Sequence, residues 1–474
     1  MSARIGQRLT AADTEMLAAE GDGPHVSGAC PWLWVIGGPC PTADEIARHL
    51  ASRLPRKMRQ RVTAPPWRLT RPLWVDVPGW SINDHIAVVG DLRYWSEDGW
   101  LEFISERLTV RLDRSKPLWR LWLIPHAEGS RFALVSMIHH ALADGHSGVE
   151  LLMLSAGLVK PGAELAPDRA ERIGQTRRLR TGVELAGLAA RDVADLGRVS
   201  LATARAVIAA LRGPHRARLR AHKAFRALIA LAADIRNHAT EIPDLHSSHQ
   251  AQQRVCHFDI PATQVRLISA SMDCFPNDLF LSLVAAGVGC LLEHREVAAP
   301  DLHIHVWVPV NIGERDARAT LGNHVSGVRV PLPVGPMRPE ERLRQVRAAS
   351  RRAAASEFVA GATLVTRLEN ALPAPALPWA ARVALSPSMM HLIASHMVIP
   401  PIPEPLPGRR LLDARAWTFL PEQHKLSFAA QSLNSRLSLN YIVAAVSPAD
   451  HEHLSRGMRE HVDRLVEVAE GGQG

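Results

Sequence analysis

Cysteine is scarce in this chain of 474 residues: the five that occur are odd in number and lack C-x-x-C spacing. That usage argues against both a disulfide framework and a zinc site. The chain also lacks an apolar stretch near its start, and its longest run of low charge, residues 279–292, is too short to span a bilayer. We therefore expect a cytoplasmic protein without a signal peptide, a transmembrane helix or a bound metal.

Aromatic residues are also few, and tyrosine occurs only twice. The basic stretches contain no interleaved aromatic side chains on which bases could stack, which argues against a nucleic-acid partner. The net charge of +8 could suit the phosphates of a small molecule or contact with an anionic membrane surface. Charge alone does not choose between these two partners.

Length and patterning predict an α/β protein of two units joined by a helical connector. Residues 1–160 mix capped helices with strands, residues 161–250 are rich in Arg and Ala, and residues 251–474 return to a mixed pattern. The basic stretch in the connector is interpreted as a solvated helix face. The expected strands lie at residues 119–125, 132–138, 304–310, 325–332, 426–431 and 437–443, and helices begin near Thr42, Asp278 and Ser447.

The most informative motif is the pair His139-His140 followed by Asp144-Gly145. A β-prone run precedes the pair and a helix-capping pattern follows it, so the histidines are expected where a strand ends. An imidazole can accept a proton at neutral pH and return it within one turnover. We predict that His140 is a general base and that His139 shapes the loop. Asp144 would hold the loop closed through an arginine elsewhere, with Gly145 providing backbone freedom.

Other interpretations of this motif stay open. In a chain with 23 histidines an adjacent pair can occur without any function. Asp144 could also orient the imidazole directly. A metal site is disfavoured because neighbouring side chains usually point apart, and a serine nucleophile is disfavoured because no G-x-S-x-G motif occurs.

Several blocks, in order along the chain, resemble one family. His139-His140-x-x-x-Asp144-Gly145 resembles the signature of acyl-CoA-dependent acyltransferases related to chloramphenicol acetyltransferase and to peptide-synthetase condensation domains. The surrounding blocks are similar to the bacterial wax ester synthase/diacylglycerol acyltransferase family, and the likeness runs nearly end to end. Those blocks include Pro117-Leu118-Trp119, Asn277-Asp278 and Gly322-Asn323.

The resemblance implies two chloramphenicol-acetyltransferase-like subdomains with the active site in a tunnel between them. It implies transfer of a long-chain acyl group from acyl-CoA to the hydroxyl of diacylglycerol, or of a long-chain alcohol, without a cofactor or a covalent acyl-enzyme. Peripheral contact with the inner face of the plasma membrane or with lipid droplets is also expected.

The resemblance also assigns substrate-binding residues. Asn277, Asp278 and Asn323 are expected to hold substrate, although Asn277 could simply cap its helix and Asn323 could serve a tight turn. Pro117, Leu118 and Trp119 are expected to pack beside the site and support it more than to contact the ligand.

Two segments depart from the family pattern. Gly313 stands where the family usually carries an arginine, with Arg315 two residues on. Residues 395–403 read S-H-M-V-I-P-P-I-P where an Asn-Val-Pro-Gly-Pro stretch is common. These departures leave open acyl transfer to a different lipid or metabolite hydroxyl, and a catalytically inactive relative that binds acyl-CoA or lipid.

Overall fold

Two mixed sheets covered by helices form the framework of the protein, which was obtained as a computed structural model. The structure describes residues 7–21, 26–65, 70–143, 238–246, 252–311, 325–355, 369–370, 372–433, 436–444 and 447–471, with single positions between 187 and 236. Most of the predicted connector and the predicted helix after the His139-His140 loop lie outside these residues.

The fourteen strands named here are β1 Gln7–Arg8, β2 Ala29–Gly37, β3 Gln60–Thr63, β4 Leu73–Asp76, β5 Ile86–Val88, β6 Trp119–Pro125, β7 Arg131–His139, β8 Gln253–Pro261, β9 His303–Asn311, β10 Val325–Pro333, β11 Leu392–Val398, β12 Leu411–Ala416, β13 Leu426–Leu433 and β14 Arg436–Ala444. The α-helices named here are α1 Ala11–Ala18, α2 Ala43–Ala51, α3 Glu97–Arg107, α4 Ala262–Met272, α5 Pro276–His294, α6 Pro339–Ala354, α7 Leu377–Ala384 and α8 Pro448–Gly471.

The first sheet has five strands in the order β12-β2-β7-β6-β5, and a small separate sheet pairs β1, β4 and β3. Helix α3 covers one face, where Trp100 and Phe103 pack against Leu33 and Val135. Helix α2 covers the other face. It begins at the predicted capping box, in which Thr42 Oγ1 accepts from the Glu45 N–H at 3.2 Å and the Glu45 carboxylate accepts from the Thr42 N–H at 2.8 Å.

The second sheet has six strands in the order β10-β9-β11-β13-β14-β8. Strand β11 runs parallel to both β9 and β13, whereas the other neighbours are antiparallel. Helix α5 is long and apolar enough to cross a membrane by length and composition, but 78% of its most apolar window is buried inside the protein. Its side chains join the core between this sheet and α8, as expected for a core helix.

Strand β12 joins the two halves of the fold. It follows β11 of the second sheet along the chain but pairs with β2 at the edge of the first sheet, with Ala414 opposite Trp34 and Ala416 opposite Trp32. Arg415 on β12 donates two hydrogen bonds, of 3.0 and 2.8 Å, to the carboxylate of Asp259 on β8. The next residues of the chain are thereby held between the two sheets.

The predicted α/β class and the predicted strands are confirmed. The helix predicted to begin at Asp278 starts two residues earlier, at Pro276, because proline is well tolerated in a first helical turn. Strands β2 and β12 were not predicted, although β2 is nearly continuously apolar. The predicted division into residues 1–160, 161–250 and 251–474 stays a prediction; the crossing of β12 means that the two sheets do not draw their strands from separate stretches of chain.

Candidate active site

The two histidines of the motif stand where β7 ends and point in different directions. The His139 N–H donates to the Leu118 carbonyl at 3.0 Å, and the His140 N–H donates to the Gly28 carbonyl at 2.9 Å. Both backbone positions are thereby fixed to the strands on either side. Because successive side chains alternate across a strand, the His139 ring is buried, whereas His140 reaches a cavity.

The buried His139 ring contacts groups at both of its nitrogens. Its Nδ1 accepts from the Ala141 N–H at 3.0 Å, which leaves the proton on Nε2. Nε2 lies 3.2 Å from Oε1 of Glu20, off the direction of an ideal hydrogen bond. Attraction between the proton-bearing nitrogen and the carboxylate therefore fixes the ring, and neither nitrogen is directed at a substrate.

The carboxylate of Glu20, which the sequence did not reveal as a site residue, connects three parts of the chain. It accepts from the Gly28 N–H at 3.1 Å and from the Arg114 guanidinium at 2.5 Å, while Arg111 donates to the Glu20 carbonyl. Burial alone would raise the pKa of this carboxyl group, but His139, Gly28 and Arg114 together lower it from 4.5 to about 2. Glu20 is therefore an ionised buried group that holds the end of β7 in place.

The lowered pKa of Glu20 predicts a loss of stability in acid. The ionised carboxylate stabilises the fold above its unfolded pKa of about 4.5, and this stabilisation disappears as the pH falls toward the folded value of about 2. A shift of this size corresponds to about 3 kcal/mol. Between pH 6 and pH 3, the free energy of unfolding of Glu20→Gln should fall less than that of the wild type, as measured by urea unfolding.

A matched control for this measurement is Glu102→Gln, which neutralises an exposed carboxylate on α3. Its acid dependence should follow that of the wild type. The same slope in all three proteins would contradict the assignment of a strongly lowered pKa to Glu20.

His140 contributes its ring to a cavity of about 50 Å³ between the two sheets. The ring stands edge-on to Phe419, with centroids 5.3 Å apart. Besides His140, the side chains that the cavity draws from strands of both sheets include Cys30, Trp32, Ile138, Ser395 and Met397, and residues 416–418 come from the crossing segment. Within the described part of the chain, His140 is the one basic side chain lining this cavity.

The other chemical groups in this cavity are less suited to accept a proton. Burial raises the pKa of the Cys30 thiol to about 12, so it is a neutral thiol and not a thiolate nucleophile. Ser395 and Thr418 bring hydroxyl groups, which can donate hydrogen bonds to an oxygen that becomes negative. Among the residues that the structure describes, no group of three or more His, Cys, Asp or Glu side chains could hold a metal ion.

The Pro117-Leu118-Trp119 block lies beside the motif and supports it through packing. Leu118 and Trp119 are buried, and the Leu118 carbonyl accepts from the His139 N–H. The indole N–H of Trp119 donates to the Met58 carbonyl at 2.8 Å, and its ring stacks on His85 with centroids 4.4 Å apart. Trp119 also lines a second cavity on this face of the sheet, and the supporting role of the block stays a prediction.

The remaining predicted residues are not brought into this cavity by the described part of the structure. Asn277 is half-buried in the first turn of α5, and the buried carboxylate of Asp278 accepts from the Phe275 N–H at 3.0 Å, which caps the helix. Their contact with substrate stays a prediction. Asp144, Gly145 and Asn323 lie outside the described residues, as do Gly313 and Arg315.

Two covered mixed sheets with a cavity between them form a condensation-domain-like fold. The first condensation domain of the CDA synthetase shares the fold with a TM-score of 0.57, at 16% identity over 98% of this chain and 97% of that domain. The wax ester synthase/diacylglycerol acyltransferase from Marinobacter aquaeolei VT8 shares it with a TM-score of 0.63, at 16% identity over 98% and 99% of the two chains.

Sequence comparison narrows this class to one family. Residues 9–280 match the wax ester synthase/diacylglycerol acyltransferase catalytic domain, and residues 321–465 match the WS/DGAT C-terminal domain. A probable diacylglycerol O-acyltransferase of Mycobacterium tuberculosis is 28% identical over 466 residues, which cover 97% of this chain and 96% of the relative. The chain belongs to the wax ester synthase/diacylglycerol acyltransferase family and is an acyltransferase.

Proposed function

We propose that this protein transfers a long-chain fatty acyl group from acyl-CoA to the hydroxyl of diacylglycerol, and also to long-chain alcohols, with His140 as the general base. The observation that carries the proposal is the position of His140, the basic group in a cavity between the two sheets. Family membership and the names of the mycobacterial relatives support the donor and the acceptor.

The proposed reaction uses His140 in both of its steps, first as a base and then as an acid. The His140 imidazole takes the acceptor's hydroxyl proton as the oxygen attacks the thioester carbonyl. The tetrahedral intermediate then collapses, the carbon–sulfur bond breaks, and the imidazolium returns the proton to the departing CoA thiolate. The hydroxyls of Ser395 and Thr418 are candidates to stabilise the oxyanion, as is the predicted Asn277. This sequence of steps requires neither a metal nor a covalent acyl-enzyme.

A different hydroxyl acceptor is the second candidate function. Ser395 and Met397 line the His140 cavity, and both belong to the segment 395–403 that departs from the family pattern. A change in the side chains around the reacting groups would alter which acceptor fits.

A membrane or lipid-droplet surface is the proposed place of action, because the acceptor is apolar and the net charge of +8 favours anionic lipid.

The proposal predicts labelled triacylglycerol, and labelled wax ester, when the purified protein receives radiolabelled palmitoyl-CoA with diacylglycerol or hexadecanol in parallel. A reaction without acceptor measures thioester hydrolysis and gives the background rate. If the protein binds palmitoyl-CoA measurably but forms no product with either acceptor, the proposal is overturned in favour of an inactive binding protein. Product with only a third hydroxyl compound would favour the second candidate.

A further inference from the structure

A second cavity, of about 80 Å³, lies beside the His140 cavity on the same face of the five-stranded sheet. The two cavities share Trp32 and Ile138. The second one then extends along β7 past Ser136 to Leu134, and along β2 to Trp34. Alternate residues of a strand share one face, so these side chains and His140 form a single continuous row.

The strand register explains why space remains along this row. We call this space the sheet channel. Ser136 lies directly between Trp32 and Leu121 in the paired strands, so a small side chain stands between two large ones. On β12, at the edge of the sheet, Ala414 and Ala416 stand opposite Trp34 and Trp32. These small residues prevent the large side chains from closing the face completely.

Helix α2 covers the sheet channel. Ile46 and Leu50 of α2 line it together with Leu54 just beyond the helix, and Leu406 of the segment before β12 also contributes. Apart from Ser136, the described side chains in contact with the space are apolar. About 20 Å separate His140 from Leu134 along the strand, because each residue advances about 3.3 Å.

We propose that the sheet channel holds the fatty acyl chain of the acyl-CoA, with the thioester carbonyl beside His140 and the methyl end toward Trp34. This inference rests on the proposed function. A row of apolar side chains that leads along one strand from the proposed base, with cavities beside it, suits a single unbranched alkyl chain. The chain would bury its methylene groups against these apolar side chains, which stabilises the bound donor.

The shape of the channel favours the acyl donor over the acceptor as its occupant. Diacylglycerol carries two chains, whereas the two cavities follow a single row of side chains along β7. A fatty acyl-CoA carries one chain whichever acceptor is used. The acceptor must then approach His140 from the side of Ser395 and Met397, because these two residues line the His140 cavity but not the second cavity.

Filling the channel at Ser136 tests the proposal. Ser136→Phe should lower kcat/KM for palmitoyl-CoA at least tenfold, and weaken its binding measured by calorimetry to a similar degree. Values for butanoyl-CoA should stay within twofold, because Ser136 stands about 13 Å from His140 along the strand, beyond the reach of a four-carbon chain. Ser136→Leu is the milder variant if phenylalanine prevents folding, and Ser130→Phe places the same ring on an exposed turn as a control.

The outcomes separate this proposal from the proposed function. Equal sensitivity of palmitoyl-CoA and butanoyl-CoA, or no change in either, would overturn the channel assignment while acyl transfer itself stood. A further outcome concerns the Ser136 variants with butanoyl-CoA as donor. If they lose activity with hexadecanol but not with butanol, the channel holds the acceptor, which also overturns the proposal. If the wild type transfers no acyl group, selective weakening of palmitoyl-CoA binding would still support the channel.

Discussion

His140→Ala should lower kcat by about 10²- to 10⁴-fold, the usual contribution of a positioned general base. Binding of palmitoyl-CoA should change little, because the imidazole acts on the acceptor's hydroxyl proton and the acyl chain is held elsewhere. The ring is only partly buried and meets Phe419 edge-on, so its removal should cost little stability. Initial rates with saturating diacylglycerol, together with calorimetry for the donor, measure both quantities.

His238→Ala is the matched control for this experiment, since His238 is exposed and does not line the described cavity. It should retain wild-type rates. Equal product from His140→Ala and the wild type would remove His140 from the chemistry. His139 would not then replace it, because its Nδ1 accepts from Ala141 and its Nε2 faces Glu20.

Glu20→Ala should be the most destabilising single substitution at the site. It would leave the buried His139 Nε2–H and the Gly28 N–H without the carboxylate, and each buried donor left without a partner typically costs about 1–3 kcal/mol. Glu20→Gln keeps an acceptor for Gly28 but loses the charge, so its cost should be smaller. Urea unfolding at neutral pH measures both, with Glu102→Ala as the exposed control.

Glu20 should also affect the rate through His139, which makes it a positioning residue. In folded Glu20→Gln, kcat should fall at least tenfold, while KM for acyl-CoA stays within twofold, because substrate contacts are unchanged. Gly28→Ala disturbs the same ring from another side, since its added Cβ would lie 2.7 Å from His139 Nε2. If both act through His139, the double variant should be no slower than the slower single variant. Additive losses in ln kcat would contradict this role.

The sequence predicted the parts of the site that depend on local patterns. Alternating and β-branched runs identified β6, β7, β9, β10, β13 and β14, and they placed His140 after a strand. The deviating segment at residues 395–403 also proved informative, because two of its side chains line the cavity. These features depend on neighbours in the chain, which a single sequence displays.

The missed features depend on contacts between distant residues. A glutamate near a glycine-rich turn is expected at the surface. Glu20 is a buried anion because the fold places the distant residues His139 and Arg114 against its carboxylate. Strand β12 is short and carries Asp413 and Arg415, so its local pattern is weak; its partner β2 lies at the other end of the chain. The sheet channel follows from cross-strand register, which periodicity alone cannot supply.

The pairing of β12 with β2 also governs the order in which the protein can be completed on the ribosome. Until residues 411–416 have been synthesised, β2 presents an unpaired edge that carries Trp32 and Trp34. Such an apolar edge is a template for pairing with other chains. The nascent protein therefore spends most of its synthesis with this apolar edge unpaired. The part of the His140 cavity wall that residues 416–418 form can close only when β12 has paired with β2.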